Sequence, residues 1–362
     1  MSKKIKNCFY KKLTFQNFID AEKRARKHKI YKFEVINYEL NLENNLINLI
    51  NKLKNKSYRL GKYYKFKIKE PKERTIKALP YEDRIVQQWY IEEFIIPYIT
   101  PKFIFSSFSC IKNRGSHLAI STLYKYMKKI YYKNKSFWIL SCDIKKFFYN
   151  IKPKILYHIL EKYIEDSDLM FLTKLLIYDS REVNETSGIP VGNYTSQYYA
   201  NIYLNGLDQY IKRTLKIKYY VRYMDNFVLL LNSKEECKKI KELIRVFLSD
   251  SLNLELNTSS NYFPNKNGVT FCGFRIFTTH ILLKNSNKRL IKKRVNKWNK
   301  KFKNKQLDIS QAVQSYNSWY GHASHCNSYN LTSKISNNCN FLYTKSTDLK
   351  IINELIDLKL NE

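Results

Sequence analysis

Along this 362-residue chain the spacing of apolar residues changes period several times. Over residues 1 to about 60 they return every three or four positions, as in "YELNLENNLINLINKLKN", which predicts amphipathic helices. "KYYKFKIKEPKERTIKAL" then alternates, predicting a basic hairpin turned over Glu70, Pro71, Lys72 and Glu73. "EDRIVQQWYIEEFIIPYI" goes back to helical spacing, with Ile85, Trp89 and Phe94 on or near one face. "SFWILSCDI" predicts a buried strand ending at Asp143, followed by a helix that opens at Pro153. Ile155, Leu156, Ile159, Leu160 and Tyr163 form the stripe of that helix. "SGIPVGNYTSQYYANIYLNGLDQYIKRTL" is a glycine-bearing loop entering a long helix, and "SKEECKKIKELIRVFLSD" is a later one. "NGVTFCGFRIFTTHILLK" predicts a more exposed hairpin.

Between the last two helices lies "YYVRYMDNFVLLL", two strands folded over a polar tip. Val221, Tyr223, Phe227, Leu229 and Leu231 alternate as in half-buried strands. Asp225 and Asn226 interrupt the pattern at the turn, where both types tolerate positive φ. Two readings stand at this point: plain turn chemistry, or a tip offering oxygen ligands to a divalent metal.

Composition narrows the choice. At 44% hydrophobic the chain buries a substantial core. Its 65 Lys+Arg against 31 Asp+Glu give a charge of +34, which calls for an anionic partner. Codon bias toward Lys, Asn, Ile and Tyr explains part of the excess but not the shortage of acids. With 30 Tyr and 21 Phe among the cations, a nucleic acid is the natural partner. From Lys284 to Lys305 cations recur every second or third position around Leu290, Val295, Trp298 and Phe302, a helix expected to touch nucleic acid. Seven scattered cysteines without a C-x-x-C pair argue for reduced thiols and a cytoplasmic setting. No secretory signal and no membrane span is expected, because prolines and Lys102 break the most apolar neighbourhood. His322, His325 and Cys326 have ligand-like spacing but no evident fourth partner, so a packed helix is the expectation there.

Asp143 closes a buried strand and Asp225 caps a ribbon about eighty residues later, with a glycine loop and helix between. Acids at the ends of neighbouring strands can converge on one sheet edge. The order of segments resembles a bacterial reverse transcriptase, close to group II intron, retron and diversity-generating retroelement enzymes. "CDIKKFFYNI" is similar to that family's first metal-binding motif, and "YMDN" stands where Tyr-x-Asp-Asp is usual. "EPKERTIKALPYEDRIVQQ" resembles the finger motif and "SFSCIKNRGSHLAI" the segment before the first acid. "GIPVGNYTSQYYANIYLNGLD" resembles the loop and helix under the templating base, and "GVTFCGF" the primer-gripping hairpin. Within the family, "GIPVGNYTSQ" and "SWYGHASHCNSYNL" look most like diversity-generating retroelement enzymes.

The resemblance implies an α+β right-hand polymerase with fingers, a ferredoxin-like palm and a small helical thumb. Its divisions would be an N-terminal helical extension at 1–60, fingers and palm at 61–280, a basic thumb at 281–345 and a tail at 346–362. Asp143, Asp225 and the Ile144 carbonyl would hold two Mg²⁺ ions, with Mn²⁺ as an alternative, and Asn226 would complete the catalytic set. Lys72 and Arg74 would meet the triphosphate, where Arg offers a fork and Lys a point charge. Phe148 would crowd a ribose 2′-hydroxyl and favour deoxynucleotides. Val191 and Gly192 would floor the nascent base pair, with Gln197 nearby, and Phe271, Cys272 and Gly273 would grip the primer. Many relatives carry Gln at Val191, so looser base selection is expected. The expected partners are an RNA template, a primer with its cDNA, dNTPs, a structured non-coding RNA and a small basic accessory protein. No nuclease motif is seen after the thumb.

Two departures weaken the pattern. Asn226 brings an amide oxygen but no charge, and Thr258 and Ser259 stand where relatives often place a lysine, with Lys266 farther on. Three readings therefore stay open: an error-prone retroelement enzyme, an antiphage defence reverse transcriptase, and an RNA-binding protein whose palm no longer polymerises.

Overall fold

In the computed structural model, which describes residues 4–68, 74–179 and 186–343, the alternating basic segment forms β1 (Tyr64–Ile68) and β2 (Arg74–Ala78). They pair antiparallel from Tyr64–Ala78 to Ile68–Arg74, and all five β1 residues are exposed. The turn expected at Glu70–Glu73 lies outside the described residues.

The apolar runs build a second sheet from β3 (Trp138–Asp143), β4 (Tyr219–Tyr223), β5 (Asn226–Leu231) and β6 (Asn261–Pro264). Its strand order is β4-β5-β3-β6. The helices Pro153–Glu161, Ser167–Tyr178 and Tyr194–Gln209 come between β3 and β4, and Lys234–Leu252 between β5 and β6. Helical links joining a hairpin to two flanking strands in this order make the ferredoxin-like β-α-β-β-α-β arrangement. The α+β expectation stands. Helix Lys234–Leu252 starts where the Ser233 side chain accepts the Glu236 N–H at 3.1 Å, and it packs on β3 and β5. Helix Phe15–Arg26 packs on helix Tyr81–Tyr90 through Phe18 and Trp89, ring centroids 4.9 Å apart.

The chain divides into two compact units, one holding residues through Ala119 together with Trp138–Phe263. The other holds Ile120–Phe137 and residues from Pro264 on. Its sheet has three strands, β7 (Val269–Phe271), β8 (Phe274–Ile276) and β9 (Ile281–Leu283), so the expected hairpin extends into a meander. Helices Asn285–Lys303, Ile309–Ala323 and Tyr329–Asn337 follow in the same unit. On the lysine-rich helix Ile291 and Val295 enter the core, while Leu290, expected to hold the helix down, is exposed. The helix Ile309–Ala323 is packed as expected, His322 lying against Phe274 at 4.5 Å.

All seven cysteines are free thiols. Burial pushes Cys142, Cys237 and Cys272 up to about 12, which keeps them neutral near pH 7. Among the described residues no helix is long and apolar enough to cross a membrane.

Candidate active site

Strand register brings the two acids to the same end of the sheet. β3 and β5 run antiparallel with Asp143 opposite Asn226, so their Cα atoms lie about 4.5–5.5 Å apart. Asp225 immediately precedes Asn226, at the tip that joins β4 to β5. Asp143, Asp225 and Asn226 therefore share one end of the sheet.

The tip differs from the expected turn. Tyr223 pairs with Asn226, leaving Met224 and Asp225 as a two-residue loop. Positive φ falls on Met224 (+55°) and not on Asp225 or Asn226, the sign pattern of a type II′ hairpin. A methionine at this position costs roughly 1–3 kcal/mol of backbone strain, so the surroundings must hold it.

They do so with a buried ion pair. Arg222 and Asp208 are both fully buried and joined twice, Nε to Oδ1 at 2.7 Å and Nη2 to Oδ2 at 2.6 Å. Arg222 Nη1 donates to the Met224 carbonyl at 3.0 Å and to Asn201 Oδ1 at 3.1 Å. Tyr220 OH donates to Asp208 Oδ1 at 2.7 Å, and Asn201 Nδ2 donates to the Ser109 carbonyl at 2.7 Å. Burial weighs against the Arg222 charge, but the Asp208 carboxylate more than offsets it and raises the guanidinium pKa. The free edge of β4 is covered as well, because Arg222 N–H donates to Ser106 O and Phe108 N–H to Arg222 O. Helix Tyr194–Gln209 covers the face of Tyr220 and Arg222, so Tyr220, Val221 and Arg222 are all buried on β4, not half-buried in alternation.

Asp143 is fixed from the other side. Asn257 Nδ2 donates to its Oδ2 at 3.0 Å, and the Asn257 N–H donates to its carbonyl at 2.7 Å. Ser260 Oγ accepts the Asp143 N–H at 3.0 Å and donates to its carbonyl at 3.1 Å. Buried Ile144 bridges antiparallel to Leu256 through bonds made by its neighbours, Asn257 N to Asp143 O and Lys145 N to Glu255 O. In such a non-hydrogen-bonded pair the residue's own carbonyl turns away from its partner, here toward the β5 side. Asp143, Asp225, Asn226 and that carbonyl make an all-oxygen donor set, which suits a hard divalent cation. Among the described residues no cluster of three or more His, Cys, Asp or Glu side chains is placed to hold a metal.

The glycine loop joins this end of the sheet to the hairpin β1–β2. Gly188 N–H donates to Ile151 O at 2.7 Å and Ile189 N–H to Phe148 O at 2.9 Å, which straps the loop to the one-turn helix Phe147–Asn150. Phe148 is half-buried there, edge-on to buried Phe147 at 5.6 Å. Farther along, Lys77 N–H donates to Val191 O at 3.1 Å. Gly192 has φ +125°, and a Cβ on it would lie 2.8 Å from Lys77 O and 2.9 Å from Ile76 Cγ2. Only glycine fits so close an approach. Val191 is half-buried, while Gly192 and Gln197 are exposed beside the hairpin β1–β2.

Lys72 lies outside the described residues, as does the side chain of Arg74, whose backbone opens β2. Phe271, Cys272 and Gly273 belong to the second unit, where Phe271 pairs with Phe274. Cys272 (φ +46°) and Gly273 (φ +86°) form the two-residue type I′ turn between β7 and β8. Lys266 also lies in that unit, whereas Lys241, from helix Lys234–Leu252, donates to the Ser260 carbonyl at 2.6 Å. The sequence reading passed over Arg222, Asp208, Asn201, Asn257, Ser260 and Lys241. Helix Tyr194–Gln209 is buried on most sides, so Asn201 and Asp208 need partners, but its seven polar residues among sixteen do not single these two out.

The chain is similar to a putative COX1/OXI3 intron 2 protein of Saccharomyces cerevisiae, 22% identical over 39% of this chain and 24% of that protein. It is also similar to protein YkfC of Escherichia coli, 26% identical over 54% of this chain and 60% of that protein. The chain thus spans about a quarter and three fifths of these two curated relatives. Among solved structures, apo telomerase of Candida tropicalis truncated from its C-terminal domain superposes with a TM-score of 0.48 at 12% identity, covering 65% of this chain and 59% of that one. The family model for reverse transcriptase (RNA-dependent DNA polymerase) matches residues 65–276, more than half of the chain. With both acids at one end of the sheet and that match over more than half of its length, the chain belongs to the reverse transcriptase family.

Proposed function

We propose that the chain copies RNA into cDNA, adding deoxynucleotides to a primer end with Asp143, Asp225 and Asn226 as the catalytic set. The observation that carries this reading is the register of β3 on β5, which puts Asp143 opposite Asn226 and beside Asp225. Reverse transcriptase domains use divalent metal ions. Two Mg²⁺ ions, or Mn²⁺ in their place, bound to Asp143, Asp225 and the Ile144 carbonyl would supply the charge that activates the primer hydroxyl and steadies the departing pyrophosphate. The chain's own part is positioning. Asn257 and Ser260 hold Asp143, Arg222 holds the tip, and the Gly188–Gly192 loop fixes the floor at Val191 and Gly192 relative to Phe148. Lys72 and Arg74 would meet the triphosphate, Gln197 would join them in binding the nucleotide, and Phe271, Cys272 and Gly273 would grip the primer. Fingers and palm are assigned to 61–280, the basic thumb to 281–345 and the helical extension to 1–60. The error-prone retroelement type, a structured cognate RNA and a small basic accessory protein belong to the same proposal, as does a cytoplasmic setting.

The test is primer extension on an RNA template with Mg²⁺ or Mn²⁺. Incorporation of dNTPs is the expected result, and no incorporation with any divalent metal would leave an RNA-binding protein in its place. Phe148→Ala is expected to raise ribonucleotide use at least tenfold relative to the parent, because it empties the space against the sugar. Competition between labelled rUTP and dTTP measures it, and unchanged sugar selection removes Phe148 from the gate.

A further inference from the structure

Helix Tyr194–Gln209 starts two residues after Val191, and its first turn is held from outside the helix. The N-cap residue is Asn193, which is buried, and a side chain of this type ordinarily accepts an N–H of the helix it opens. Here it makes no such bond, and its Nδ2 donates to Tyr63 OH at 2.7 Å instead. The first N–H of a helix has no partner within it. That of Tyr194 donates to Oε1 of Gln87 at 3.0 Å. Gln87 is 2% exposed and belongs to helix Tyr81–Tyr90. Five residues beyond it, Glu92 Oε1 accepts the Tyr194 hydroxyl at 2.9 Å. Burial raises the Tyr194 phenol well above its ordinary pKa, so the hydroxyl stays a donor.

With Lys77 N–H on Val191 O, these bonds tie Val191, Asn193 and Tyr194 to residues between Tyr63 and Glu92. The other end of the loop is tied elsewhere, Gly188 to Ile151 and Ile189 to Phe148. Pro190 stands between the two sets of ties, and its ring fixes φ there. Val191 carries no polar side-chain group and Gly192 no side chain, so this pair can select a base pair by shape alone. Selection by shape depends on how firmly the backbone is held, because small displacements of a positioned group cost rate steeply.

We propose that Gln87, together with Tyr63 and Asn193, is a positioning residue for nucleotide selection, holding the floor at Val191 and Gly192 against the incoming base pair. The inference rests on the polymerase reading, in which those two residues form the floor. It adds what keeps the floor rigid, a side chain on another helix and no part of the glycine loop. Gln197, one turn farther along helix Tyr194–Gln209, takes its position from the same first turn.

Single-nucleotide incorporation on an RNA template, with the correct and with a mismatched dNTP, tests the role. Gln87→Met keeps the length and loses the acceptor. The ratio of kcat/KM for correct over mismatched nucleotide is expected to fall about tenfold, chiefly through a higher KM for the correct one. Gln87→Glu still accepts the Tyr194 N–H, with the helix dipole favouring its charge, and is expected to stay within about twofold of the parental ratio. Tyr63→Phe removes the acceptor of Asn193 and is expected to lower the ratio about threefold. Hydrogen exchange at the Tyr194 amide should quicken in Gln87→Met and not in Gln87→Glu. Circular dichroism checks folding, and Tyr63→Phe, which takes one hydroxyl from a half-buried ring, decides the matter if Gln87→Met does not fold. Parental selectivity in the folded variants that lose an acceptor overturns the assignment, as does an equal loss in Gln87→Glu and Gln87→Met. A parent that incorporates nothing removes the polymerase reading and nucleotide selection with it, whereas an active parent with unchanged variants overturns the role of Gln87 alone.

Discussion

Replacing Asp208 by Asn is expected to destabilise the first compact unit by about 3–5 kcal/mol, the cost of stranding a buried cation. Arg222 would keep its charge in a fully buried site, and an amide replaces one of its two acceptors with a donor. Chemical denaturation followed by tryptophan fluorescence measures the effect through Trp89 and Trp138. Losing the pair altogether should cost less than breaking it. In Asp208→Leu with Arg222→Met both charges go, and stability is expected to recover by at least half of the loss, less the cost of the Tyr220 hydroxyl left without its acceptor. The Met224 carbonyl would still lack its donor. A double variant that folds well and extends primers poorly would identify Arg222 as a positioning residue for the tip. Wild-type extension by that variant would make the pair purely structural.

The Arg222–Asp208 pair also marks where reading the sequence stops. Asp143 and Asp225 were legible because each interrupts an apolar run, and acids at strand ends are seldom there for packing. The order strand, helix, hairpin, helix was legible from period, whereas the closing strand β6 was not, and the ferredoxin-like arrangement was implied by the resemblance. Arg222 was not legible, because in an alternating strand it occupies the position expected to face solvent, and helix Tyr194–Gln209, which brings Asp208 and Asn201 against it, makes that face interior. Its partner is fourteen residues away on a helix, and no local pattern ties an aspartate at a helix end to an arginine in the next strand. The turn was misplaced by one residue for a related reason. Propensity favours Asp and Asn for positive φ, yet it falls on Met224, whose carbonyl is held by Arg222, itself anchored on the helix by Asp208 and Asn201. Asn257 and Ser260 were hidden by distance, more than a hundred residues beyond the acid they hold.

Asp225→Ala is expected to slow primer extension by about three orders of magnitude, the several kcal/mol that metal-borne charge contributes in such sites. Stability should hardly change, since the side chain is half-buried at a two-residue tip and its loss opens no core cavity. Binding of a single-stranded RNA should be unaltered as well, so a folded, RNA-competent and inactive protein is the predicted phenotype. Asn226→Asp is the counterpart. It places a second carboxylate across from Asp143, about 5 Å away by Cα, where like charges repel until a cation bridges them. The concentration of Mg²⁺ giving half-maximal extension is expected to fall about tenfold in Asn226→Asp, with a larger rise in melting temperature on adding Mg²⁺ than the parent shows. Those two responses need only the charge at the tip to change, because Asn and Asp have the same shape. If Asp225→Ala extends primers at the parental rate, the sheet end formed by β3 and β5 is not the reacting centre. If Asn226→Asp leaves the metal requirement unmoved, Asn226 lies outside the ion's reach and Asp143 and Asp225 alone set its affinity.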